Sequence, residues 1–558
     1  MKRIFYLILL AGVFGITLAS QSTPAAARKD RFANKLHTFS SIVKELQANY
    51  VDTLNPDKLM EQTIQYMLYQ IDPYTEYYPA DNQDEILSIS QGQYAGIGSV
   101  IVKRGDKVLI HEPQKDSPSM RAGLRAGDRI LTLDGDTLKK DVAIGDVSKR
   151  LRGQAGTEVS LTLIRPYVQD SVINVTLVRD NIKVNPLPYY GIDSDGIGYI
   201  RLTTFNESAA RSVHDALAQM MKDPALKGVV LDLRENGGGL LEGAVQIASN
   251  FVPKGTEIVR TRGRDTRDVK IYKTTQKPLS LDIPLAILTD GNTASASEIV
   301  AGSMQDLDRA VIIGERSFGK GLVQSTRMLP YNDLLKITTG RYYIPSGRLI
   351  QALDYSHRDA DGSPIRTPDS LTTVFHTAAG REVRDGGGIT PDITVTVPES
   401  NRLLYNIVSD YWSFDFANKY FSEHPQAPSD SIVTDAVFEQ FKGFIDPARF
   451  KYDRPWESAL DYLRKVAKTE GVLTDSVNAQ FDVLSGMLKH DITHDLDLNK
   501  ESIKEILNDE LSLRYYGTDE IIRRSLKDDS TYIKAKEVLL SPEETRRLLS
   551  PEKTPAKQ

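Results

Sequence analysis

The chain has 558 residues, 40% of them apolar and 26% charged, with a formal net charge of −6. That length exceeds one hydrophobic core and calls for roughly three or four domains. The acidic balance gives no electrostatic footing for nucleic acid. The absence of cysteine excludes a thiol protease, a thiolate metal site, a disulfide framework and a lipoprotein anchor.

At the N-terminus Lys2 and Arg3 precede an apolar run from Ile4 to about Leu18, and Leu18-Ala19-Ser20 offers a small-residue cleavage site. This predicts a signal peptide over 1–20 and a mature chain beginning near Gln21, in the periplasm or another extracytoplasmic space. The run is short of the about 20 apolar residues a membrane span needs. Membrane attachment is therefore expected only if the segment stays uncleaved. Residues 29–90 read as a helical region: Phe39, Ile42, Val43 and Leu46, then Leu59, Ile64, Met67 and Leu68, recur at helical spacing. Ile71-Asp72-Pro73-Tyr74-Thr75-Glu76-Tyr77-Tyr78 ends that run.

Residues 91–182 change character. Short β-rich runs (98–102, 107–111, 158–164, 171–178) alternate with glycine turns, and a short helix at Ser117-Pro118-Ser119-Met120-Arg121 stops at Gly123 before a strand near Ile130. This segment resembles a PDZ domain. Such domains add a peptide as a strand on a sheet edge and clasp its carboxylate with backbone N–H groups. The matching loop would be Ala95, Gly96, Ile97 and Gly98 after Tyr94. A hairpin turn that binds nothing is the plainer alternative.

Residues 183–400 alternate strands (196–201, 228–233, 285–288, 310–313) with helices (208–221, 242–250, 296–307), the pattern of an α/β core with some parallel pairing. Residues 401–545 are again helical, with starts at Thr518-Asp519-Glu520 and Ser541-Pro542-Glu543-Glu544. Residues 546–558 are expected to be a disordered tail. The fold class is thus α+β multidomain: an α/β core carrying an inserted β-rich module, with helical N- and C-terminal regions.

The chemistry concentrates between 289 and 324. Thr293-Ala294-Ser295-Ala296-Ser297-Glu298 puts Ser295 at a helix N-terminus, because Ile299, Val300, Met304 and Leu307 continue a helical period. Free N–H groups and the positive dipole end there favour the negative charge of a tetrahedral acyl intermediate. A simple N-cap is the bland reading, and Ser297 is a competing nucleophile on another side of the helix. Lys320, 25 residues after Ser295, lies between Gly319 and Gly321, with Phe318, Leu322 and Val323 as apolar neighbours. A lysine titrates near pH 10.4 in water and acts as a base only where burial lowers that value. Gln324 could accept a hydrogen bond from its amine. The Asn236-Gly237-Gly238-Gly239 turn can supply an oxyanion donor, Gly238 N–H, beside Ala296 N–H; a plain strand-to-helix turn is the alternative.

Together these segments resemble the carboxyl-terminal processing peptidases, or tail-specific serine proteases. The match runs over about residues 30–400 and includes 338–347 and Gly388-Ile389-Thr390-Pro391-Asp392. The resemblance implies Ser295 as nucleophile, Lys320 as general base, Gln324 as its orienter, and a PDZ domain that recruits substrate C-termini and can gate the site. It also suggests that Arg152 couples the PDZ to the core. The family commonly has Asn-Pro-Gly-Gly where this chain has residues 236–239, which leaves the oxyanion glycine open by one position. No metal or cofactor is expected. The C-terminal helices, beyond the resemblance, are candidates for homo-oligomerisation or an adaptor protein.

Three rivals are weaker. Residues 314–321 nearly form a phosphate-binding loop, but Gly321 replaces the hydroxyl that would hold magnesium. His490 and His494 have metal-ligand spacing without the glutamate a metallopeptidase needs. A catalytically silent PDZ-bearing adaptor would carry no reason for Ser295, Lys320 and Gln324 together.

Overall fold

In a computed structural model the described residues are 24–80 and 91–550, apart from 170, 266, 360–361, 397–400, 429–431, 453 and 490. The expected signal peptide and His490 lie outside them. Among the described residues no helix is long and apolar enough to cross a membrane. The chain forms two compact units, Met1–Ala80 with Gln324–Thr338, and Asp81–Val323 with Thr339–Gln558.

The smaller unit contains the helices Pro24–Asn49 and Pro56–Tyr69. Asn55 caps the second by accepting the Lys58 N–H. Phe32, Leu36, Phe39 and Ile42, the apolar stripe of the first helix, are exposed. Asp72 is buried and its carboxylate gathers the N–H groups of Tyr74 and Thr75. That turn launches the strand Glu76–Tyr78, which pairs antiparallel with residues 334–336.

The larger unit is built on a six-stranded sheet in the order Tyr189–Ile192, Ile197–Arg201, Gly228–Asp232, Leu285–Thr289, Val311–Gly314, Ile393–Thr394. The first pair is antiparallel and the rest are parallel. Alternation along the strands explains both faces, since successive side chains point to opposite sides. Ile200, Val229, Leu231, Leu285, Ile287 and Ile312 pack against the helices Ala209–Met220, Leu241–Ala248 and Ala296–Asp306. Ile197, Tyr199, Val230, Ala286, Leu288, Val311 and Ile313 pack against Tyr532, Ala535, Val538 and Leu539 of the helix Ser530–Leu540. A sheet with both faces covered needs strands apolar throughout, and every residue of Gly228–Asp232 and Leu285–Thr289 is buried.

Within the expected helical region 401–545, Arg402–Ser409, Trp412–Glu423, Asp435–Phe444 and Lys500–Tyr515 share a core of their own, while Tyr532, Ala535, Val538 and Leu539 pack on the six-stranded sheet. The helix Pro542–Leu549 also carries ordered structure into the segment expected to be a disordered tail. A helix reports its apolar face in sequence, but not what that face meets.

The β-rich module is a six-stranded antiparallel sheet in the order Ser99–Arg104, Lys107–Pro113, Arg129–Leu133, Glu158–Ile164, Val172–Val178, with the short strand Asp136–Thr137 also paired to Arg129–Leu133, and with the helices Pro118–Arg121 and Ile144–Leu151. Its strand Ser99–Arg104 is an edge. The C-terminal helix Trp412–Glu423 holds the module through Arg104 and Asp415 (2.6 Å) and through His111 stacked on Phe414.

Candidate active site

Three loops converge at the carboxyl ends of neighbouring parallel strands, where α/β sheets build their clefts. They follow Gly228–Asp232, Leu285–Thr289 and Val311–Gly314.

The middle loop carries Ser295. Asp290 Oδ1 accepts the N–H groups of Asn292 and Thr293, folding the chain back on itself. Ser295 then sits at φ 58° and ψ −115°, immediately before the helix that begins at Ala296. A non-glycine residue in this region costs about 1–3 kcal/mol and persists only where its surroundings over-determine it. Here they do. Ala294 N–H and the Ser297 hydroxyl both donate to Asn236 O, and Ser295 N–H donates to Glu298 Oε2 at 2.8 Å. Ser297 is fully buried with its proton committed to that carbonyl, so it is unsuited to be the nucleophile. Ser295 is half-buried, and Ala296 N–H has no acceptor among the described residues.

The third loop carries Lys320, also half-buried. Phe318 N–H donates to Thr293 O, and Ala352 N–H to Gly319 O. Gly319 has φ 91°, and a Cβ there would stand 2.4 Å from Ala352 Cβ, so glycine is required. Phe318 is exposed rather than packed as an apolar wall beside the amine. The Tyr342 hydroxyl lies within hydrogen-bond reach of the carbonyls of both Ser295 and Lys320.

Glu298 joins the two loops. It is fully buried. Its Oε2 accepts Ser295 N–H and Lys320 N–H (2.9 Å), and its Oε1 accepts Gly319 N–H (2.7 Å) and the Ser317 hydroxyl (2.6 Å). Burial pushes its carboxyl up to about 7, against the pull of these four donors. The sequence offered one clue: Ser295 followed by Glu298 is the spacing of a capping box, in which the glutamate reaches back to the N-cap N–H. Its bonds to 317–320 had no local signal.

The first loop supplies the glycines. Gly238 (φ 97°) lies hard against the serine: a Cβ there would stand 2.8 Å from Ser295 Cβ and Ala296 N. Its N–H, however, donates to Asn236 Oδ1 at 2.9 Å. Of the two expected oxyanion donors, Gly238 N–H is thus engaged within its own turn, and Ala296 N–H has no acceptor among the described residues.

Gln324 belongs to the smaller unit, where its Nε2 donates to Thr338 Oγ1 at 3.2 Å. In the PDZ-like module Ala95 and Gly96 lie in the strand Gln93–Gly96, paired antiparallel with Asp180–Lys183. Ile97 is buried in the module's core, and Gly98 has φ 71°, with a virtual Cβ 2.3 Å from Ser117 Cβ. The N–H groups of Ile97 and Gly98 have no acceptor among the described residues. Arg152 stacks on Tyr94, 4.9 Å from the ring centre.

Residues 196–355 match the family described as "Peptidase family S41", residues 109–165 match "PDZ domain", and residues 403–539 match "Probable PDZ-protease, C-terminal helical domain". A carboxy-terminal-processing protease of Bartonella bacilliformis is 36% identical over 358 residues, which are 63% of this chain and 80% of that protein. The chain belongs to the carboxy-terminal-processing proteases of peptidase family S41. It is a serine-type peptidase with a PDZ domain. A CtpA-like serine protease of Staphylococcus aureus is 33% identical over 317 residues, 56% of this chain and 62% of that protein. The photosystem II D1 C-terminal processing protease, a solved structure, is 28% identical, covering 59% of this chain and 91% of that one with a TM-score of 0.33. Within this S41 peptidase, the first and third loops hold the second as derived above.

Proposed function

We propose that the chain is an exported endopeptidase in which Ser295 attacks the scissile carbonyl and Lys320 takes its proton, acting on proteins recruited by their C-terminal tails. The observation that carries this reading is the Glu298 carboxylate, which draws the Ser295 and Lys320 N–H groups onto one oxygen. Residues 25 apart in sequence thereby share one anchor, and the serine is kept strained at a helix N-terminus.

With its amine unprotonated, Lys320 accepts the hydroxyl proton as Ser295 Oγ bonds to the carbonyl carbon. The developing oxyanion is held by Ala296 N–H and the positive end of the helix Ala296–Asp306. Collapse of the tetrahedral species breaks the C–N bond, and the Lys320 ammonium returns its proton to the leaving amine. Water, deprotonated by the same amine, then releases the acyl group and restores Ser295.

Recruitment rests on the edge strand Ser99–Arg104, which can accept a peptide strand, and on the N–H groups of Ile97 and Gly98, which can hold a carboxylate. Ile97, Val147 and Leu151 form an apolar floor beside that edge. An otherwise identical unfolded substrate is therefore expected to show about a tenfold lower KM with an apolar terminal residue than with a charged one. Equal kcat/KM for the two tails would remove the PDZ from substrate selection. Export is proposed from residues 1–20 alone: the intact mass of protein recovered from the cell envelope should correspond to a start near Gln21, and a mass retaining Met1 would contradict cleavage.

A further inference from the structure

The last helices of the chain reach the catalytic loops through one side chain. Arg234 is the second residue of the turn that leads from the strand Gly228–Asp232 to Gly238. Its guanidinium forks between two carboxylates: Nη2 lies 2.6 Å from Asp232 Oδ2 and 2.6 Å from Asp529 Oδ2, and Nη1 lies 3.1 Å from Asp529 Oδ1. Asp529 precedes the helix Ser530–Leu540, 295 residues further along the chain. We propose that Asp529 is a positioning residue for the peptidase reaction, fixing Arg234 and through it the Arg234–Gly239 turn that abuts Ser295. This rests on the reading of Ser295 as the nucleophile.

Charge balance is the first argument. Asp232 is fully buried and already accepts Arg201 Nη1 at 2.8 Å and the Tyr199 hydroxyl at 2.6 Å. Burial alone would raise its carboxyl, but the Arg234 and Arg201 guanidiniums and the tyrosine hydroxyl hold it below the usual range. One carboxylate thus faces two guanidiniums, and Asp529 supplies the second negative charge. Without it, Arg234 keeps its bonds to Asp232 but shares that one carboxylate with Arg201, leaving one excess positive charge in a largely buried cluster, which is unfavourable. The release is for Arg234 to swing toward water, taking the start of the turn with it.

The turn has no slack to absorb that movement. Glu235 is at φ 58° with its N–H on the Asp290 carboxylate, Asn236 is fully buried with Nδ2 on Leu202 O, and Gly238 stands against Ser295 Cβ. Asn236 O is also the acceptor for Ala294 N–H and Ser297 Oγ. A displacement at Arg234 therefore reaches the serine loop through backbone contacts. Misplacing reacting groups by about 1 Å costs on the order of 100-fold in rate.

Asp529 also has a purely structural task, since its Oδ1 accepts the N–H groups of Thr531 and Tyr532 and caps the helix. The two roles separate in the Asp529→Asn variant, because asparagine caps as well as aspartate but cannot form the charged fork. The experiment compares wild type, Asp529→Asn, Asp529→Ala and Ser295→Ala in the full chain, by cleavage kinetics on one unfolded substrate. Active sites are titrated with a fluorophosphonate, and thermal melting is followed in parallel. Asp529→Asn is expected to lower kcat per titrated site by about 10- to 100-fold, with KM and melting near wild type; Asp529→Ala adds a loss of melting temperature. Wild-type kcat per titrated site in Asp529→Asn, or a loss confined to the titrated fraction, would overturn the proposal. Equal cleavage by Ser295→Ala would instead overturn the nucleophile reading and this inference with it.

Discussion

Lys320→Ala and Lys320→Arg are both expected to lower kcat by about 10⁴-fold or more, the loss that follows removal of one member of a nucleophile–base unit. The arginine variant separates the two readings of this residue. A lysine serving only as a solvated surface charge tolerates arginine, whereas a general base does not, because a guanidinium keeps its proton at any working pH. Neither change disturbs the attachment of the loop, since the bond to Glu298 comes from the residue 320 backbone N–H. Folding is therefore expected to persist, as read by thermal melting and by binding of a tail peptide to the PDZ domain. A Lys320→Arg protein that turns over at near wild-type kcat would contradict the dyad.

Glu298→Gln is expected to produce the next largest loss, about 100-fold in kcat, without unfolding the protein. Four donors converge on the two carboxylate oxygens, and only an ionised carboxylate accepts from all of them. An amide turns a donor toward one pair, so the serine and lysine loops lose their shared register. Protonation of the wild-type residue has the same effect, and activity is expected to fall as pH drops through about 7, the value to which burial raises this carboxyl. The stability effect has the opposite sign. The native carboxyl holds its proton more tightly than the unfolded one, whose model value is 4.5. Between those two values the folded state binds more protons, so stability falls as pH rises across that window. At about 1.4 kcal/mol per pH unit the full change is on the order of 3 kcal/mol. Glu298→Gln lacks this term, so its melting temperature should gain on wild type from pH 4.5 to 7 while its activity stays low. A parallel pH dependence of the two melting curves would contradict the raised carboxyl.

The sequence made the core sheet readable because its strands are buried on both faces. Runs such as Gly228-Val229-Val230-Leu231 stand out between amphipathic helices, and the elements expected between 196 and 313 each have an observed counterpart ending within two residues, whereas the strands Glu257–Gly263 and Val269–Lys273 were not foreseen. Ser295 and Lys320 were legible as a motif, and Ser295 at the start of its helix followed from the period of Ile299, Val300 and Met304. What stayed hidden depends on contacts between distant segments. The apolar positions Tyr532, Ala535, Val538 and Leu539 announce a buried helix face, but not that it covers the protease sheet. The pairing of Arg234 with Asp529 spans 295 residues, beyond any local pattern.

The most direct measurement is cleavage of an unfolded protein with an apolar C-terminal tail by the mature wild-type chain and by its Ser295→Ala variant at equal concentration. Fragments from the wild type and none from the variant, with both still binding the tail, is the result expected if Ser295 is the nucleophile. Fragments appearing at comparable rates from both proteins would contradict it.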